Sequence, residues 1–180
     1  MQRVEMIQPE QAKGRAKELL ATVEQAFGVV PNATRVMANS PAVLDSFLSF
    51  STAMGTAKIG DKLHTQVKLA ASEANACSYC TSILCALGSH SGLTAADLVE
   101  GRSARAADRR ADAALKFGRA VLETRGKVTD DDLRVVRKAG FDDGEIVEIV
   151  ASVVLGCFTN FLNNVAQTDL DVPEAAPLAA

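Results

Sequence analysis

The sequence has little aromatic bulk: no tryptophan, one tyrosine, and aromatics at 4% of 180 residues. Few stretches alternate β-branched with polar residues, which argues against a sheet. Nor is there a basic stripe. The 19 Lys and Arg are spread along the chain against 22 Asp and Glu, net charge -3, so the phosphate neutralisation that nucleic acid demands is absent. The amino-terminal "MQRVEMIQPEQAKGR" lacks the apolar centre of a signal peptide. The longest apolar run, Ile149 to Phe158, is short for a bilayer span. These absences predict a cytoplasmic chain with neither nucleic acid nor membrane as partner.

What is present is 48% hydrophobic residues at spacings of three and four, with only five prolines, the pattern of an all-α domain. A single domain is expected over residues 1–180, its core at about 40–170 and a loose tail at 172–180. A first helix is predicted from Pro9 to Phe27, where Gly28 stops it, and a short one capped by Asn32. Ser40 and Pro41 open a third, to Met54. Further helices are expected through Leu63, Val67, Ala70, Ala71 and Ala74, from the cap Thr94, through Leu115, Val121 and Leu122, and from the cap Thr129 to Gly140. The last, Asp142 to Thr168, is apolar over most of its circumference. Such a helix needs cover on all sides, from the domain itself or from another subunit, and the second is the expectation here.

Four cysteines in a reducing compartment point to redox or metal chemistry rather than a disulfide framework. Two of them, Cys77 and Cys80 in "EANACSYCTSILCALG", form a Cys-x-x-Cys pair at a predicted helix start. Free backbone N–H groups and the positive end of the dipole favour thiolate there, and positions three apart lie close enough to join. Zinc needs a second spaced pair. The other candidates, Cys85, Cys157, His64 and His90, form none, and Cys85 and Cys157 read as small core residues. Glu73, four residues before Cys77, is either a base for the thiols or a solvated helix-end carboxylate. Tyr79 either donates a hydrogen bond to an oxidised sulfur or packs.

The segment Glu73 to Gly88 resembles the AhpD-like, carboxymuconolactone decarboxylase superfamily, in particular its uncharacterised peroxidase-related subgroup, which reads E-A-N-G-C-x-Y-C-x-x-x-H-x-x-x-G. "FGVVPNATRVMANSPAVLDSF" and the stretch from "ALKFGRAVLETRGKVTDDDLRVVRKAGF" through "DDGEIVEIVASVVLGCFTNFLNNVAQTDLDVP" extend the likeness over nearly the whole chain. The resemblance implies a helical bundle whose central hairpin carries the cysteines, assembled as a homotrimer or homohexamer without metal or organic cofactor. It also implies Cys80 as the nucleophile toward hydroperoxide, Cys77 as the resolving thiol, and an external thiol reductant.

Three departures bear on activity. Where active members place a proton-relaying glutamate and histidine, this chain has Thr65 and Leu84, and Tyr79 replaces a histidine found before the second cysteine. Leu84 shares a face with Cys80 and shields it without taking its proton, a loss of about 10²–10⁴-fold in rate. His64, about 100° around the helix from Thr65, reads as solvent-exposed or capping. The expectation is a slow peroxidase or thiol–disulfide oxidoreductase. The alternatives are a non-catalytic oligomeric redox sensor or scaffold and, from the superfamily name alone, a lactone decarboxylase.

Overall fold

The computed structural model describes residues 2–178, and of Ser89 and His90 only the backbone. These residues form nine α-helices and no strand, the all-α architecture expected. The helices are α1 Gly14–Phe27, α2 Asn32–Met37, α3 Pro41–Met54, α4 Gly60–Ala74, α5 Ser78–Leu87, α6 Ala95–Arg102, α7 Arg109–Thr124, α8 Asp130–Lys138 and α9 Asp143–Ala166.

Local chemistry sets most of these boundaries. Thr94, Thr129 and Asp142 each close a capping box with the acidic residue three further on, starting α6, α8 and α9. A cap of this kind stabilises a helix by about 1 kcal/mol. Two starts differ from expectation. Residues Pro9 to Ala12 form a turn on Gln8, and Lys13 is extended, so α1 begins at Gly14 rather than Pro9. Asn32 is the first residue of α2 rather than its cap, and its backbone N–H donates to Asp171 at 3.0 Å.

α4 lies at the centre, against α5, α6, α7 and α9. Leu63 and Val67 of α4 join Leu115 and Phe117 of α7 and Ile149 and Val153 of α9 in the main core. Gly156 allows α9 to approach α4 closely: a Cβ there would stand 3.1 Å from the Ala71 Cβ. A second core holds Leu19, Leu20 and Val23 of α1, Met37 of α2 and Leu44 of α3. The packed interior thus begins near residue 12, well before residue 40, because α1 and α2 bury their apolar faces on α3.

α9 is longer than its apolar run, and by length and composition alone is sufficient to cross a bilayer. Here one side packs on α4 and α7, while Val147, Val154, Phe158, Phe161 and Val165 remain exposed on the other. The carboxy-terminal segment, expected to be loose, is held to the body. Tyr79 donates to Asp171, Ala175 N–H donates to Ser82 Oγ at 2.9 Å, and Arg102 Nη1 donates to the Ala176 carbonyl at 2.7 Å.

Candidate active site

α4 ends at Ala74 with Asn75 as its C-cap, Ala76 takes a left-handed conformation with φ 49°, and Cys77 N–H returns to the Ser72 carbonyl at 2.9 Å. This tight corner makes Cys77 the N-cap of α5. Its sulfur accepts the Cys80 N–H at 3.3 Å. Cys80 sits three residues in, so both sulfurs lie at the amino end of the helix and both residues are buried, at 1% and 4% exposure.

The two thiols are inequivalent. Contact with the Cys80 sulfur and burial both raise the Cys77 pKa, so that Cys77 keeps its proton. The same contact lowers that of Cys80 to about 6 against the burial that opposes it, aided by Asn160, Asn163 and Thr159. Asn163 Nδ2 reaches the Cys80 sulfur at 3.4 Å, and Thr168 Oγ1 donates to Asn163 Oδ1 at 2.7 Å, so the amide is fixed with its donor on the sulfur. Asn160 is held from both sides, by Asn75 at 3.0 Å and Ser72 at 3.0 Å. The first proton lost by the pair is therefore that of Cys80.

Cys80 opens onto a cavity of about 430 Å³ between α4 and the α1–α3 layer. Phe27, Met37, Phe47, Leu48, Ile83 and Leu84 supply apolar wall, and Asp61, His64, Thr65 and Lys68 bring one face of α4 to it. Leu84 lines the same cavity as Cys80. Thr65 donates its hydroxyl to Ser91 Oγ at 3.1 Å. His64 departs from expectation: it is buried, because central α4 is enclosed around this part of its circumference, and its Nδ1 pairs with Ser152 Oγ at 2.7 Å. The Ser152 hydroxyl donates to the Glu148 carbonyl, so His64 is the donor in that pair. Burial, with Lys68 nearby, lowers the His64 pKa to about 4 and keeps the ring neutral.

Lys68 was not among the residues predicted. Among the described residues lining the cavity it is the one cation. Burial pushes its pKa down, while the charge of Cys80 acts to raise it. Its position three residues after Thr65, on the same helix face, was a signal in the sequence. Asn160 and Asn163 were signals too, since polar residues in an apolar helix require partners.

The other proposed helpers are committed elsewhere. Glu73 is bound by Arg102 through two contacts, at 2.8 and 3.3 Å, and does not line the large cavity. The Tyr79 hydroxyl accepts the Ala33 N–H at 3.0 Å and gives its proton to Asp171, so it ties α2 and the tail together instead of facing an oxidised sulfur. Cys85 and Cys157 are half-buried, Cys157 packed against the main core, and burial raises both pKa values. His90 lies outside the described side chains. Among the described residues no three of His, Cys, Asp and Glu converge as a metal ion requires.

This backbone arrangement matches solved structures. An alkylhydroperoxidase AhpD core, an uncharacterized peroxidase-related protein from Ralstonia eutropha JMP134, superposes with a TM-score of 0.82 over 94% of this chain and 92% of that one, at 20% identity. The fold is AhpD-like. A second peroxidase-related protein, from Silicibacter sp. TM1040, gives 0.75 over 85% and 83% of the two chains, also at 20% identity. The debrominase Bmp8 gives 0.79 over 93% and 91% at 18% identity, and a cysteine-to-alanine variant of it has been solved with 2,3,4-tribromopyrrole. No protein-family model and no curated protein sequence matches the chain.

Proposed function

We propose that this AhpD-like chain is a cytoplasmic, cysteine-dependent peroxidase that reduces apolar organic hydroperoxides. The observation that carries this reading is the Cys80 sulfur, the more acidic of the pair, facing a large apolar cavity while Cys77 waits protonated behind it. The thiolate attacks the terminal oxygen of the hydroperoxide. The O–O bond breaks, Cys80 becomes a sulfenic acid, and the alkoxide leaves. Lys68 supplies the proton, in place of the relay lost at Thr65 and Leu84, and its lowered pKa makes it a better acid for that step. Cys77 then attacks the Cys80 sulfur. The S–S bond forms, and the hydroxyl departs as water with the Cys77 proton.

One equivalent of cumene hydroperoxide followed by peptide mass spectrometry tests the assignment. The expected product is a Cys77–Cys80 disulfide that Cys80→Ser abolishes. Oxidation of Cys85 or Cys157 with the pair still reduced overturns it. The sensor alternative predicts a change of oligomeric state on oxidation with negligible turnover, which sedimentation of both forms separates.

A second reading follows from the same cavity and the debrominase neighbour. An aryl bromide takes two electrons from the dithiol, giving the arene, bromide and the disulfide. Bromide release from 2,3,4-tribromopyrrole by the reduced protein distinguishes it.

We also assign the exposed row on α9 to a contact with further copies of this chain, as a homotrimer or homohexamer. Val147, Val154, Phe158, Phe161 and Val165 recur at the spacings of a helix seam, which suits packing against an identical helix. Phe161→Glu is expected to give monomers by sedimentation.

A further inference from the structure

The two cysteines line different pockets. Cys80 lines the large apolar cavity, whereas Cys77 lines a separate pocket of about 180 Å³ with Ser78 and Thr81, the Glu73–Arg102 pair, and Glu174 and Ala175 of the tail. Arg102 is an uncommon group for such a place, a guanidinium with only 10% of its side chain exposed. It spans the pocket, holding Glu73 on one side and the Ala176 carbonyl on the other. Ala175 N–H closes onto Ser82, one turn further along α5. The carboxy-terminal segment is thus a wall of the Cys77 pocket and touches none of the large cavity.

We propose that this pocket is the entry for the reducing thiol, a small dithiol without net charge, and that residues 173–178 must lift for it to reach the sulfur. The assignment rests on the peroxidase reading, because it concerns the disulfide that reading produces. Attack has a preferred direction. A thiolate of the reductant bonds to the Cys77 sulfur, the Cys77–Cys80 bond breaks, and Cys80 departs as thiolate, the better leaving group since its acid is the stronger. The second thiol of the reductant then attacks its own sulfur in the mixed disulfide. Cys77 leaves, takes up a proton, and the reductant departs as a disulfide, two electrons having passed to the protein. The pocket chemistry suits an uncharged dithiol: the Arg102 charge is matched by Glu73, and Glu174 adds a further carboxylate that disfavours anions. Separate entries also keep peroxide and reductant from meeting at one mouth.

The test uses full-length protein oxidised with diamide and the rate at which dithiothreitol reduces its disulfide. Deletion of residues 173–180 leaves the Tyr79–Asp171 contact in place and is expected to speed reduction about tenfold, the size set by one or two net hydrogen bonds that no longer open first. Ser82→Ala, which removes a single acceptor, is expected to act in the same direction by a smaller factor. Oxidation of Cys80 by cumene hydroperoxide should change less than twofold in the deletion, a difference of little weight beside tenfold. Reduction at an unchanged rate in both variants overturns the proposal. So does equal acceleration of reduction and oxidation, which indicates general loosening. If diamide forms no Cys77–Cys80 disulfide, the peroxidase reading itself has failed and this one falls with it, a result distinct from an unchanged reduction rate.

Discussion

Asn163 of α9 donates an N–H to the sulfur of Cys80 across 3.4 Å, and it does so from a helix more than eighty positions away in the chain. The contact favours the charged sulfur over the neutral one, so its loss should be visible in the acidity of Cys80. Asn163→Ala is expected to move the midpoint of Cys80 alkylation up from about 6 by about one pH unit, equivalent to about 1.4 kcal/mol. Iodoacetamide rates from about pH 5 to about pH 9, a range that brackets both midpoints, provide the measurement. An unchanged midpoint removes Asn163 from the account.

Lys68→Met deletes the cation of the large cavity while keeping its hydrocarbon length. Two effects are expected together: an upward shift of the Cys80 midpoint, and a loss of about 10²-fold in single-turnover reaction with cumene hydroperoxide. Lys68→Arg should recover much of the first, because charge is retained, and less of the second, because arginine is a poor proton donor. If Lys68→Met alters stability alone, the lysine is structural.

His64 makes stability pH-dependent. Its pKa is about 4 in the folded chain and 6.5 when free, so between those values the unfolded state binds the additional proton. Stability contributed by this residue therefore falls as pH drops from about 6.5 toward about 4 and changes no further below, to a total of about 3 kcal/mol. Urea unfolding of wild type and His64→Gln over that range checks it. The substitution should flatten the slope by up to one proton.

Ala76 holds a left-handed conformation, φ 49°, with a side chain attached. Glycine adopts that region without the Cβ clash, and the AhpD-like pattern this chain resembles has glycine at the position. Ala76→Gly is expected to stabilise the fold by about 1 kcal/mol, seen as a higher urea midpoint at constant slope. A lower midpoint means that the flexibility glycine adds to the unfolded chain outweighs the strain relieved.

The helices were largely legible because their signals are local. Thr94, Thr129 and Asp142 mark starts through bonds to residues three positions away, and the apolar spacing of α4 and α7 names their inward faces. The cysteine pair was legible for the same reason, as both sulfurs belong to one turn of α5. The fate of Glu73 and Tyr79 was not legible. Each is satisfied by a residue distant in the chain, Arg102 for one and Asp171 for the other. The burial of His64 was not legible either, because angular offset on a helix predicts exposure only when that helix has a solvent side, and the middle of α4 has little.

By itself, then, the sequence determined an all-helical chain with two sulfurs at one helix start, since capping, periodicity and a three-residue spacing act within a few turns. Which cavity each sulfur faces, and which polar side chains surround it, were decided only when α4, α9 and the tail came together. Charge stabilisation depends on distance in space: Asn163 reaches Cys80, and Lys68 and Arg102 line the cavities of Cys80 and Cys77, through packing that no local pattern encodes.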